Sequence, residues 1–81
     1  MTKVESLLHL RQLINEGKHD YFLHFGIAKS SKYITLDGDD NFCVYNEIDD
    51  TEDTFNNDEI MDESLTNIGK FLTQGRLYCY D

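Results

Sequence analysis

A block of unbalanced negative charge in the middle of the chain most limits how this sequence can fold. Residues 37–63 contain twelve Asp or Glu residues and no Lys or Arg. The other 54 residues carry seven cations and four acids, so the net charge of −9 combines −12 in this block with +3 elsewhere. Such a block repels itself and nucleic acid and attracts basic surfaces. We therefore expect it at the protein surface, with an acidic patch at Asp49, Asp50, Glu52 and Asp53, and we expect no direct binding of nucleic acid.

Length and composition favour one small folded domain. Eighty-one residues are close to the lower limit at which a single hydrophobic core sustains a fold. A hydrophobic content of 40% with ten aromatic residues lies outside the composition of disordered chains. The apolar positions near the amino terminus are interrupted by polar residues, so neither a signal peptide nor a membrane span is expected. We expect a single domain over residues 1–81, located in the cytoplasm and not bound to membranes.

The pattern of apolar residues predicts two helical segments. Thr2 and Glu5 have the spacing of a capping box, and helical periodicity continues to Gly17, which predicts a helix over residues 3–16. A second helical pattern starts near Asn57 and runs toward Gly75, either as one helix or as a short turn followed by a longer helix. The alternative N-caps in this second segment are Asn57 and Ser64, and Gly69 within it suggests a close approach of the helix backbone to the sheet.

Four runs of β-favouring residues separate these helical segments. They predict strands over residues 21–25, 33–36, 42–45 and 76–80. Asp37-Gly38-Asp39-Asp40-Asn41 has the composition of a hairpin turn. Lys29 to Lys32 is interpreted as a polar connection, and residues 46–57 as an acidic loop that is the most mobile part of the chain.

These elements predict an α+β fold in the order α-β-β-β-α-β. The expected architecture is a mostly antiparallel four-stranded sheet with two helices packed on one face. The connection through the second helix is a crossover, so the last strand should lie parallel to the first, in the sheet order 3-2-1-4. Alternation along the strands then gives an inner set facing the helices. This set is Leu23, Phe25, Ile34, Leu36, Phe42, Val44, Leu77 and Cys79.

The opposite sheet face is predicted to be rich in aromatic residues. Two helices cover only one side of four strands, so alternate positions remain on the other side. Tyrosine and phenylalanine exposed together are typical of protein interfaces, which makes this face a candidate site for a protein partner or for homodimer formation. The alternative is that the tyrosines are good strand formers on a solvated sheet. The candidate partner-binding residues are Phe22, Tyr33, Tyr45, Tyr78 and Tyr80.

The sequence contains no recognisable catalytic or metal-binding motif. Cys43 and Cys79 lie in apolar runs and are expected to be free thiols. The acidic turn at residues 37–41 lacks the glycine and the bidentate glutamate of a calcium loop. His24 and Glu47 have side chains suited to a catalytic acid–base pair, but no sequence feature brings them together. We therefore expect no enzyme activity, no cofactor and no metal site.

Three short motifs are spread over most of the chain: Lys29-Ser30-Ser31-Lys32, Asn46-Glu47-Ile48-Asp49 and Asn67-Ile68-Gly69-Lys70. In this combination the chain resembles a small bacterial protein family known mainly through structural surveys. The resemblance implies no activity, because none is assigned to that family, and no functional residue is carried over.

Two functional hypotheses follow from these features. The first is a non-enzymatic protein-interaction module of unknown partner that binds or self-associates through the tyrosine-rich sheet face. The second is an acidic decoy that inhibits a basic nucleic-acid-binding protein by imitating phosphate spacing with its carboxylates. Only a decoy should compete with DNA for its partner.

Overall fold

The computed structural model describes residues 1–17, 20–25 and 28–80, with the backbone alone for 20–25, 28–30 and 80. It has six strands and three helices in this part of the chain, which confirms the α+β class. In chain order they are β1 (Thr2–Lys3), α1 (Leu7–Glu16), β2 (Asp20–Phe25), β3 (Ala28–Leu36), β4 (Phe42–Asn46), β5 (Thr51–Phe55), α2 (Asn57–Met61), α3 (Ile68–Thr73) and β6 (Leu77–Tyr80).

The strands do not form the four-stranded sheet that the sequence predicted. β3, β4 and β5 form an antiparallel meander, and β1 pairs with β6. β2 pairs with both β3 and β6, which gives the order β1-β6-β2-β3-β4-β5. The four predicted strands are neighbours in the expected order, and the short strand β1 and the acidic strand β5 extend the sheet at its two edges.

The predicted parallel direction of the last strand is also wrong. β6 runs antiparallel to β2. The reason is strand β5, which reverses the chain once more before the crossover begins, so the last strand enters the sheet in the opposite direction. The loop expected over residues 46–57 is therefore a hairpin arm followed by a helix, and the basis for expecting unusual mobility there is lost.

Strand β3 is longer than predicted because Lys29 to Lys32 belong to it. Phe25 pairs with Ala28, so the connection between β2 and β3 is short. Lys32 pairs with Asn46 at the other end of the β3–β4 ladder. The interpretation of this segment as a polar connection is therefore wrong, because serine and lysine are tolerated in a strand wherever the side chain reaches solvent.

Helix α1 starts later than predicted. Ser6 is its N-cap and accepts a hydrogen bond from the His9 backbone N–H at 3.1 Å. Thr2 lies in strand β1, so the predicted capping box with Glu5 is wrong. The predicted end is confirmed, since Gly17 adopts φ of 67° and its N–H donates to the Ile14 carbonyl. A left-handed backbone at this position suits glycine.

The second helical segment consists of two short helices. Asn56 caps α2, and Asn56 and Glu59 form a reciprocal capping box. The segment then bends where Asp62 accepts hydrogen bonds from the Ser64 N–H and hydroxyl, at 2.9 and 2.7 Å. Asn67 is the N-cap residue of α3. The segment is therefore not one helix, in agreement with the alternative that divided it into two parts. Both predicted N-caps, Asn57 and Ser64, are wrong.

All three helices pack on one face of the sheet. Leu10 and Leu13 from α1, Ile60 from α2 and Ile68 from α3 belong to one buried cluster. Of the predicted inner set, six members have described side chains, and all six agree with this arrangement. Leu36 is partly buried and packs against the edge of the cluster. The side chains of Leu23 and Phe25 lie outside the described residues. The buried cluster is Val4, Leu10, Leu13, Ile34, Phe42, Val44, Ile60, Ile68, Leu77 and Cys79.

Candidate protein-interaction site

The sheet face opposite the helices, called the outer face below, is defined by alternation along β4. Phe42 and Val44 are in the buried cluster, which places Cys43 and Tyr45 on the other side of the strand. Residues directly opposite one another in an antiparallel ladder share a face. The register therefore assigns further described side chains to the outer face. They are Tyr33 and Glu52 beside Tyr45, Thr35 and Thr54 beside Cys43, and Lys3 beside Tyr78.

Two of the predicted partner-binding tyrosines come together on this face. The rings of Tyr33 and Tyr45 are half-buried, with centroids 5.9 Å apart and planes tilted by 39°. Tyr78 is also half-buried and lies on β6, which β2 separates from β3. The side chains of Phe22 and Tyr80 lie outside the described residues, although the backbone register places Phe22 opposite Tyr33.

Both tyrosine hydroxyls donate to carboxylates from the turn that follows β4. The Tyr33 hydroxyl donates to Glu47 Oε2 at 2.6 Å, and the Tyr45 hydroxyl donates to Asp50 Oδ1 at 2.6 Å. Glu52 stands directly opposite Tyr45 in the ladder. We call Tyr33, Tyr45, Glu47, Asp50 and Glu52 the tyrosine–carboxylate corner. The sequence prediction treated the tyrosines and the acids as separate features, and the structure joins them.

The turn over residues 47–50 positions these carboxylates. The Asn46 side-chain oxygen accepts the Ile48 N–H at 3.1 Å, which is an Asx turn. Asp50 adopts φ of 53°, a left-handed conformation that aspartate tolerates better than most residues. The Glu47 N–H donates to the Ser31 carbonyl at 3.0 Å and fastens the turn to β3. An ordered turn, rather than a loose loop, therefore carries the acids.

The electrostatics of the corner are those of a concentrated negative charge. The hydrogen bond to Asp50 raises the pKa of Tyr45 above its ordinary value, and loss of solvent and the charges of Asp50, Glu47 and Glu52 act in the same direction. All three carboxylates are thus close enough to oppose a negative charge on this phenol. The same field favours a bound cation.

The four residues of the predicted acidic patch are all exposed, but they divide between two faces. Asp50 and Glu52 belong to the corner on the outer face. Asp53 stands opposite Val44 and so faces the helix side. Together with Asp49 and Lys32 it lines a cavity of about 190 Å³ between the end of the sheet and the α2–α3 connection. The acidic patch is therefore not one continuous surface.

The described residues contain no group of three or more potential ligands that could hold a metal ion. Cys43 and Cys79 are buried and do not form a disulfide, and the Cys43 sulfur lies 3.6 Å from the Thr54 hydroxyl. The side chain of His24 lies outside the described part of the chain, so its position relative to Glu47 is not tested. None of the helices in the described ranges is long and apolar enough to cross a membrane.

Comparison with known proteins gives no relative. No protein-family model matches this chain, and no curated protein or solved structure is significantly similar to it. The resemblance based on three short motifs therefore finds no support there.

Proposed function

We propose that this chain is a non-enzymatic protein-interaction module that binds a basic partner protein through the outer face. The observation that carries the proposal is the tyrosine–carboxylate corner. It combines two partly exposed aromatic rings with carboxylates on a surface that the helices leave uncovered. Aromatic side chains with a polar end are enriched where proteins meet.

Charge supports a basic partner over a neutral one. The chain carries −9 overall, and the turn and edge strand beside the tyrosines belong to the block without any Lys or Arg. Long-range attraction of a basic surface speeds association, and the need for opposite charges at the contact disfavours wrong partners. The two features therefore act together, since the tyrosines supply contact area and the acids select the partner.

Self-association through the same face is less favoured. Face-to-face packing of two copies brings two net charges of −9 together and covers tyrosines whose hydroxyls are already bonded to carboxylates. Burying carboxylates without cations is strongly unfavourable. A homodimer of this kind therefore requires added salt, and its association should strengthen as salt screens the repulsion.

The decoy hypothesis also receives less support. A decoy needs carboxylates along one continuous surface to imitate a row of phosphates. Here Asp50 and Glu52 lie on the outer face while Asp49 and Asp53 line a cavity on the helix side. That division suits a local contact with a partner better than imitation of a nucleic-acid backbone.

Affinity measurements against basic proteins test the proposal. The panel contains basic proteins with and without nucleic-acid-binding activity, with acidic proteins as controls, at about 50 and about 300 mM salt. The expected result is binding to one or more basic proteins, weakened by salt and by Tyr33→Ser. Absence of binding to every basic protein contradicts the proposal, and competition by DNA for the bound partner supports the decoy instead. Sedimentation of the free chain at both salt concentrations identifies a homodimer.

A further inference from the structure

We infer that the tyrosine–carboxylate corner binds an arginine side chain of the partner, with the guanidinium against the Tyr45 ring and its N–H groups donating to Asp50 and Glu52. This inference rests on the proposed function and specifies its chemistry. It names one contact of the proposed interface, and the experiment below separates its failure from failure of the proposal as a whole.

The Tyr45 ring is suited to a cation. An aromatic face attracts a guanidinium within about 6 Å of its centroid. The Tyr45 hydroxyl donates to Asp50 at 2.6 Å, and donation to an anion leaves more electron density on the phenol ring. The Tyr33 ring, 5.9 Å away and tilted, provides a second aromatic wall beside it.

The carboxylates lie where a guanidinium over this ring needs acceptors. Glu52 is the direct cross-strand neighbour of Tyr45, so its side chain starts beside the ring. Asp50 accepts the tyrosine hydroxyl, and an ionised carboxylate keeps further lone pairs for other donors. The five N–H donors of a guanidinium lie in one plane and reach separate acceptors while the ring side stacks.

The chain already uses this arrangement inside its own fold, and Arg11 gives the clearer example. The Arg11 guanidinium lies 4.4 Å from the centroid of the Phe42 ring. It also donates to the Asp40 carbonyl and, at 2.6 Å, to the Asn57 side-chain oxygen. A guanidinium stacked on a ring and held by oxygens is thus compatible with this scaffold. The corner offers stronger acceptors, because carboxylates bind a cation more tightly than neutral oxygens do.

Arginine is favoured over lysine for a geometric reason. A lysine ammonium is a compact, strongly hydrated point charge, whereas a guanidinium is flat, more weakly hydrated and able to stack. Placing a cation against the Tyr45 ring removes part of its hydration shell, and this costs an ammonium more than a guanidinium. The inference therefore predicts a preference between peptides that carry the same charge.

The experiment uses three nine-residue peptides of Gly and Ser that carry three Arg, three Lys or three Gln. Isothermal titration gives their affinities for the full chain. The arginine peptide should bind at least about threefold more tightly than the lysine peptide, and the glutamine peptide should not bind. Tyr45→Leu should weaken arginine binding by about threefold to tenfold, while Tyr45→Phe, which keeps the ring, should change it less than about twofold.

Matched charge variants separate the corner from diffuse attraction. Glu52→Gln and Glu63→Gln each remove one exposed carboxylate of the acidic block. We expect Glu52→Gln to weaken arginine binding about threefold or more and Glu63→Gln to have less than about half that effect. This comparison does not depend on whether Tyr45→Leu folds.

Three results overturn the inference. Equal effects of the two glutamine variants mean that only net charge matters. Equal affinity for the arginine and lysine peptides contradicts stacking of a guanidinium on the Tyr45 ring. Failure of all three peptides to bind, while a basic protein from the panel still binds, excludes the arginine contact and leaves the proposed function standing. If neither peptides nor basic proteins bind, the proposed function itself fails.

Discussion

Replacing Gly69 by Ala tests the packing of the two short helices. A Cβ atom built on Gly69 lies 2.6 Å from both the Met61 Cα and carbonyl oxygen and 2.8 Å from the Met61 carbonyl carbon. These are backbone atoms of α2, so no side-chain rotation relieves the clash. The close approach expected at Gly69 is therefore real, but it is to α2 and not to the sheet.

The size of the effect follows from two opposing contributions. The helices must separate by roughly 0.8 Å to restore an ordinary contact of 3.4 Å, and a gap of that size forfeits part of the dispersion attraction of the neighbouring atoms. Overpacking of this kind costs about 1–3 kcal/mol, and a clash with rigid backbone belongs in the upper half of that range. The gain in helix propensity from Gly to Ala returns about 1 kcal/mol. We expect Gly69→Ala to lower the free energy of unfolding by about 1–2 kcal/mol.

Gly38→Ala is the matched control. A Cβ atom on Gly38 meets nothing within 4 Å, and its φ is not in the left-handed region. This substitution should be neutral or stabilising by about 0.4–1 kcal/mol, because it restricts the unfolded chain. Urea unfolding followed by circular dichroism gives both free energies. In thermal unfolding, the midpoint temperatures of the two variants should differ by about 10 °C. If Gly69→Ala is as stable as Gly38→Ala, the close helix contact is wrong.

Three further predictions concern capping, packing and protonation. Asn56→Ala should destabilise the fold by about 1 kcal/mol because Asn56 caps α2 through a reciprocal hydrogen bond, whereas Asn67→Ala should cost much less because Asn67 makes no side-chain cap; urea unfolding compares them. Arg11→Ala should lower the unfolding free energy by about 1–3 kcal/mol in the same assay, well above the cost of an ordinary surface charge, because it removes a stacked guanidinium and the two hydrogen bonds that it donates. Tyr45 should ionise at higher pH than a free tyrosine in an ultraviolet titration, and Asp50→Asn should lower its pKa toward the ordinary value. The pKa of Tyr45 is higher in the folded protein than in the unfolded chain. The stability that its hydrogen bond to Asp50 contributes is therefore complete below the unfolded pKa and is lost as pH rises through the folded pKa.

The sequence predicted the alternation of the strands well because burial on one side leaves a direct pattern. Ile34, Phe42 and Val44 were assigned to the helix side and are buried there. Their alternation requires only that neighbouring residues point to opposite faces. The position of Tyr33 and Tyr45 on the other side follows from the same rule.

Strand β5 could not be predicted from this pattern. Its sequence is Thr51-Glu52-Asp53-Thr54-Phe55, and its first four residues are exposed. An edge strand that is solvated on both faces has no hydrophobic alternation, and charges on it are a common protection against pairing with other chains. The error in its assignment then reversed the predicted direction of β6.

The details of the site depended on geometry that composition does not encode. Glu47 and Asp50 reach the tyrosine hydroxyls because the turn between β4 and β5 has a left-handed residue at Asp50. The sequence indicated acids near aromatic residues without a register to connect them. Similarly, Ser6 rather than Thr2 caps α1, because Thr2 pairs with Cys79 in the sheet. Long-range strand pairing overrode a local capping signal there.

The most direct test of the proposed interaction is proton NMR of the tyrosine rings during titration with the arginine peptide. We expect the ring resonances of Tyr45, and to a smaller extent those of Tyr33, to shift upon binding, with nuclear Overhauser contacts to the arginine side chain. The ring of Phe71, which belongs to α3 on the opposite side of the sheet, serves as the internal reference and should not shift. Shifts spread equally over both faces, or confined to the helix side, would contradict a binding site at the tyrosine–carboxylate corner.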